Sequence, residues 1–155
     1  MINSQNQELR QFIIKHEGYR RKPYLCPAGK NTIGVGWNMD ANPLPRDIKA
    51  YLDDHGEITD TMVYRLLDLS LDTAIENCLK LYNHFKEFPE KIQMCLVDLM
   101  FNMGLGKMKK FVNTNRFIED KDWKLAANGL KNSLWYKQVG VRAREIVKII
   151  AEMEG

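Results

Sequence analysis

Almost the whole chain carries its apolar residues at helical spacing, and only one short stretch breaks that rhythm. Within residues 21–40, "RKPYL" and "NTIGVGW" are rich in aromatic and β-branched residues, and the turn-forming "CPAGKN" separates them. So short a stretch supplies a β-hairpin, with one further strand near Trp37 to Asp40, and no large sheet. Everything else must build its core from helices. The expected fold class is therefore α+β, with a small N-terminal lobe holding a hairpin or three-stranded sheet and a larger C-terminal helical lobe.

The helices are placed by their caps and faces. Residues 4–16 form the first, with Ser4 as its cap and Leu9, Phe12, Ile13 and His16 on one side. Gly18 stops it and leaves Glu17 in the last turn. "PLPRDIKAYLDDHG" has Pro near its start, Gly at its stop, and Ile48, Tyr51 and Leu52 on one face. Thr59 caps a longer pattern carrying Met62, Leu66, Ala74, Cys78, Leu81 and Phe85, with a break expected near Ser70. "FPEKIQMCLVDLMFNMG" turns Ile92, Cys95, Leu96, Leu99 and Met103 inward and stops at Gly104. Shorter helices follow at about 113–120, 122–131 and 133–137, and a last one at about 141–153. No repeat or low-complexity linker divides the 155 residues, so one domain spans 1–155. Its small β-containing lobe covers about 15–58, and its helical lobe covers 1–14 and 59–155. A cleft between two such lobes is a favoured place for a ligand.

Composition limits the function classes. A hydrophobic share of 45% is enough for a core, and a net charge of +3 is too weak to imply an anionic partner by itself. No apolar run reaches the length of a membrane span, so no membrane insertion is expected. The opening "MINSQNQELRQF" lacks the basic start and apolar core of a secretory signal. Three cysteines, an odd number without metal-ligand spacing, argue for neither a disulfide framework nor a metal site, and fit a reducing compartment. Cys78 and Cys95 lie on apolar helical faces and read as core. Cys26 does not: it sits on a turn among polar and basic residues.

Three groups with chemical capacity lie close together: Glu17, Cys26 and Thr32. Glu17 faces the negative end of its helix dipole, which favours the protonated carboxyl that a general acid needs. Taken singly each has a plainer reading, Glu17 as a solvated acid and Thr32 as a strand residue. The string is more specific. An acid followed by Gly, a Tyr seven residues after the acid, and then "TIGVG" resembles the phage-type lysozymes, the muramidase endolysins of glycoside hydrolase family 24. Their signature is Glu, eight residues, Asp or Cys, five residues, Thr, and Glu17, Cys26 and Thr32 meet both spacings. The resemblance continues through "ITDTMVYRLLDLSLDTAIENC", "FNMG" at 101–104, Phe111, Trp123, "SLWYKQ" at 133–138 and "VRAR" at 141–144.

The resemblance implies a lysozyme-like fold and hydrolysis of the β-1,4 bond between N-acetylmuramic acid and N-acetylglucosamine in peptidoglycan. It gives Glu17 the role of general acid, Cys26 that of the second catalytic group (usually Asp), and Thr32 that of holding water or sugar on the opposite face. Arg142 matches an arginine that pairs with the catalytic glutamate. Phe101, Asn102 and Thr114 fall at saccharide-binding positions, as does Asn38 with a different side chain. Cys26 permits two chemistries: positioning water for inversion, or thiolate attack on the sugar with retention. Arg20, Arg21, Lys22 and Lys30 are candidates to favour the thiolate. The chain departs from the family pattern at Trp37, which replaces a histidine, at Gly129, which replaces an amide, and in a shorter segment 38–57 with two prolines.

No cofactor and no metal are implied. The expected partner is the peptidoglycan glycan strand, not nucleic acid, and the chain is expected to be a monomer. It is expected to gather in the host bacterial cytoplasm and to reach the periplasmic cell wall through a separate holin-type pore. Two rivals stand beside this reading. One is a catalytically silent peptidoglycan-binding module, suggested by Cys in place of Asp. The other is a basic nucleic-acid binder, suggested by Lys107, Lys109 and Lys110 and accompanied by no nucleic-acid motif.

Overall fold

A computed structural model describes residues 1–154, and the fold is α+β. The chain forms two compact units, Ser4–Asp72 and a second made of Met1–Asn3 with the residues from Thr73 onward.

The Ser4–Asp72 unit opens with helix α1, Gln7–Glu17. Its cap is Asn6 and not Ser4: the Asn6 carboxamide oxygen accepts the Leu9 N–H at 2.9 Å. Ser4 is buried, and its carbonyl accepts the Arg10 guanidinium at 2.8 Å. Arg10, itself buried, also pairs with Asp68 and reaches Gln5, so its charge is matched where it lies. Gly18 ends α1 at φ 86°, a left-handed conformation open chiefly to glycine, and its N–H bonds the Ile14 carbonyl.

The sheet has three antiparallel strands in the order β1 (Arg20–Leu25), β2 (Asn31–Gly34) and β3 (Trp37–Asn38). Pro23 lies in β1, which is an edge strand, and the β1–β2 pairing is irregular between Arg20 and Tyr24. A residue without an N–H is tolerated there because an edge leaves one side unpaired. Gly34 and Gly36 take φ of 66° and 65° and make the turn into β3. Helix α2 (Arg46–His55) starts after Pro45 and ends at Gly56, with Ile48 fully buried and Tyr51 and Leu52 half-buried. Leu9, Ile13, Ile33, Ile58, Val63 and Leu67 complete this unit's core.

Helix α3 runs unbroken from Asp60 to Leu81, with the Thr59 hydroxyl accepting the Met62 N–H at 3.1 Å. The break expected near Ser70 does not occur, because Leu66, Leu67, Leu71, Ala74 and Cys78 sustain one buried face across it. Phe85 lies beyond α3 in a separate single 3₁₀ turn, Phe85–Glu87.

In the second unit, helix α4 covers Glu90–Met108. Gly104, at φ 80° and ψ 163°, is non-helical and kinks this run into two helices, so it stops the first where expected, while Met103 is half-buried instead of inward. Then come α5 (Val112–Glu119), α6 (Trp123–Lys131), α7 (Leu134–Val139) and α8 (Val141–Ala151). Buried Gln93 ties the N-terminus to this unit: its Oε1 accepts the Ile2 N–H at 3.0 Å, and its Nε2 donates to the Phe85 and Phe88 carbonyls. Trp123 and Trp135 are core, whereas Tyr136 is half-buried. No helix among the described residues is long and apolar enough to cross a membrane.

Candidate active site

Within the Ser4–Asp72 unit, the α1 terminus and the β1–β2 turn carry three of the expected groups. Glu17 is the last residue of α1 and is half-buried. Cys26 directly follows β1, and the turn behind it is closed by two backbone bonds. Cys26 N–H donates to the Lys30 carbonyl at 3.0 Å, and Gly29 N–H to the Cys26 carbonyl at 2.8 Å.

The thiol is held below the ordinary thiol value chiefly by the Lys30 N–H, then by the Ala28 N–H and the Thr32 hydroxyl, with desolvation opposing them. The cationic side chains expected to do this work do not appear among the causes. Oriented amides act at contact range, while flexible ammonium groups in water are screened. Cys78 and Cys95 are the opposite case: both are buried, and burial pushes the Cys78 thiol up to about 12 and Cys95 higher still.

Thr32 is buried in β2, and its hydroxyl donates to the Lys30 carbonyl at 2.9 Å. A hydroxyl carries one proton, so this bond and the one to the Cys26 thiolate are alternatives.

Asn38 pairs with Thr32 across β2–β3. Its carboxamide oxygen accepts the Asp40 and Ala41 N–H groups at 2.9 and 3.1 Å, an Asx turn that fixes the chain after β3. Asp40 returns the support by accepting from the Asn31 backbone and side chain.

Tyr24, whose place in the sequence fits lobe core or cleft wall alike, pairs with Thr32 on the β1 side. Its phenol is held above the usual value by burial first and then by the Glu17 charge, with Arg20 opposing and Cys26 adding a smaller rise. It therefore lies within electrostatic reach of both Glu17 and Cys26. The register that sets Tyr24 beside Thr32 is the signal that locates it.

The second unit holds the other expected residues. Phe101 is half-buried on α4, and the neighbouring Asn102 is exposed. The Asn102 carboxamide oxygen accepts the Trp135 indole N–H at 3.0 Å. Thr114 on α5 is only 6% exposed and packs on Gly129 of α6 so closely that a Cβ there would lie 2.3 Å from the Thr114 hydroxyl. Arg142 on α8 donates from Nε to Asp98 Oδ1 at 2.7 Å, and Asp98 is fully buried on α4. Sequence reading did not single out Asp98, which looks like one more residue on an apolar helix. Lys107, Lys109 and Lys110 are all exposed. Among the described residues no cluster of three or more His, Cys, Asp or Glu is arranged to hold a metal ion.

The family model described as phage lysozyme matches residues 14–148. A probable T4-type lysozyme 2 of Dictyostelium discoideum is 26% identical over 156 residues, covering 91% of this chain and 92% of that protein. A probable T4-type lysozyme 1 of the same organism is 28% identical, with 92% of each chain covered. The SAR-endolysin of Escherichia phage P1 is 27% identical over 111 residues, covering 72% of this chain and 54% of the phage protein.

Proposed function

The chain belongs to the phage lysozyme family, and from that premise we propose that it is a peptidoglycan hydrolase, a muramidase of glycoside hydrolase family 24. In this reading it cleaves the β-1,4 bond between N-acetylmuramic acid and N-acetylglucosamine. Glu17 is the general acid that protonates the leaving glycosidic oxygen as positive charge develops on the sugar. Cys26 is the second catalytic group, and Thr32 holds it and the attacking water. Asn38, Phe101, Asn102 and Thr114 are the saccharide-binding residues, and Arg142 supports the acid.

The observation that carries the catalytic assignment is the turn around Cys26. Hydrogen bonding from the Lys30 and Ala28 amides and the Thr32 hydroxyl holds this half-exposed thiol below the ordinary thiol value, which favours the thiolate at the position where the family usually carries aspartate. We assign the thiolate to positioning and activating water, giving inversion. Anomer-resolved NMR of the first product tests this, and a retained β-anomer assigns it to nucleophilic attack instead.

The biological reading follows the family. The protein acts as an endolysin on glycan strands, as a monomer. It is held in the host bacterial cytoplasm until a separate holin-type pore admits it to the wall on the periplasmic side.

The deciding experiment is mass analysis of muropeptides released from purified wall by the parent and by Glu17→Gln. The parent should release fragments ending at N-acetylmuramic acid, and the variant should lose about a hundredfold or more in rate with its fold intact. A parent that binds wall and releases nothing makes this chain a silent binding module. A Glu17→Gln variant that still lyses wall removes the acid from the mechanism.

A further inference from the structure

The pairing register of the sheet sets Tyr24, Thr32 and Asn38 side by side in one row across three strands. Residues directly opposed in antiparallel strands project from the same face, so the three side chains share a surface. Two of them have their polar groups engaged locally: the Thr32 hydroxyl serves the Lys30 carbonyl or the Cys26 sulfur, and the Asn38 oxygen closes the Asx turn.

Tyr24 differs from its neighbours. The Arg20 guanidinium carbon lies 4.9 Å from its ring centroid, a cation–π contact. It is half-buried, and it stands within electrostatic reach of both Glu17 and Cys26. The phenol keeps its proton throughout the neutral range, so it is a donor wherever the two catalytic groups work. A neutral donor near an acid and a thiolate suits a sugar hydroxyl or N-acetyl oxygen better than a charged ligand.

We propose that Tyr24 is a substrate-binding residue whose phenol O–H donates a hydrogen bond to an oxygen of the saccharide lying beside Glu17 and Cys26. This rests on the muramidase reading above. It adds to the expected set a residue whose ring meets Arg20 and whose strand register pairs it with Thr32. A purely structural Tyr24 would act through its ring, and phenylalanine would serve equally well.

The test separates the two levels. Binding of a purified oligosaccharide of alternating N-acetylglucosamine and N-acetylmuramic acid is measured by calorimetry in Glu17→Gln and in Glu17→Gln with Tyr24→Phe. Circular dichroism and Tm establish that both are folded. Loss of the phenol should weaken binding about threefold to tenfold, the worth of one neutral hydrogen bond. In the parent background, Tyr24→Phe should raise KM by a similar factor. Equal affinities with and without the phenol overturn the proposal and leave the muramidase reading standing. Undiminished hydrolysis by Glu17→Gln overturns that reading independently of Tyr24.

Discussion

The β1–β2 turn and the helical unit hold their candidate residues in different ways. Around the turn, the fixing bonds are short in sequence. Thr32 reaches Lys30 two residues away, Asn38 reaches Asp40 two away, and Asn31 reaches Asp40 nine away. In the helical unit the corresponding bonds span far more chain: Trp135 reaches Asn102 across 33 residues, and Arg142 reaches Asp98 across 44. Local bonds form with the turn itself, so a fixed spacing in the sequence is enough to specify them. Long-range bonds exist only after helices have packed. The Asp98–Arg142 pair is buried by that packing, which makes it costly to leave unmatched.

Breaking the longest of these links should have the largest effect. Asp98 is fully buried, and the Arg142 side chain is only 10% exposed. Asp98→Ala removes the carboxylate from this buried pair, and loss of one partner of a buried pair costs about 3–5 kcal/mol. Chemical denaturation should show that loss as a lower midpoint with an unchanged slope. A change below about 1 kcal/mol would mean that the pair is solvated, and that the helical unit does not differ from the turn in this respect.

The same contrast explains what could be read in advance. The sheet, the Glu17–Cys26–Thr32 spacing, the Thr59 cap and the apolar faces of α2 to α4 all depend on neighbours in sequence. The first cap was misread because Ser4 and Asn6 are both good caps, and a tertiary bond from Arg10 to the Ser4 carbonyl decides between them. The break at Ser70 was expected from one polar residue, but buried leucines on both sides keep the helix going. Cations were expected to favour the Cys26 thiolate because side-chain charge is visible in a sequence and the direction of a backbone N–H is not. Asp98 and the partnership of Tyr24 with Thr32 needed helix packing and strand register, neither of which the residue pattern states.

A second break in the helical unit should be smaller, because two effects oppose each other. Gly129→Ala on α6 gains roughly 0.5–1 kcal/mol from helix propensity. The new Cβ, however, falls 2.3 Å from the Thr114 hydroxyl on α5, and overpacking costs about 1–3 kcal/mol. The clash should win, giving net destabilisation. Adding Thr114→Ala removes the hydroxyl and should recover most of the loss, a coupling that a double-mutant cycle measures directly. A stabilised Gly129→Ala single variant would show that Thr114 rotates aside freely and that the α5–α6 contact is loose.

The smallest effects belong to the turn, where they are read as reactivity instead of stability. The rate of Cys26 alkylation by iodoacetamide, followed against pH, should rise to its plateau below the pH range of an ordinary thiol, while buried Cys78 and Cys95 stay unreactive in the folded protein. The sign follows from which form is stabilised: N–H and O–H donors favour the thiolate, so removing one must move the profile to higher pH. Thr32→Val removes one such donor and should give a modest upward shift, since the Lys30 and Ala28 amides still point at sulfur. Lys30→Gln removes a charge but keeps the amide, and should leave the profile where it was. A large shift from Lys30→Gln, with none from Thr32→Val, would return control of this thiol to side-chain charge and reverse the order of causes argued for the turn.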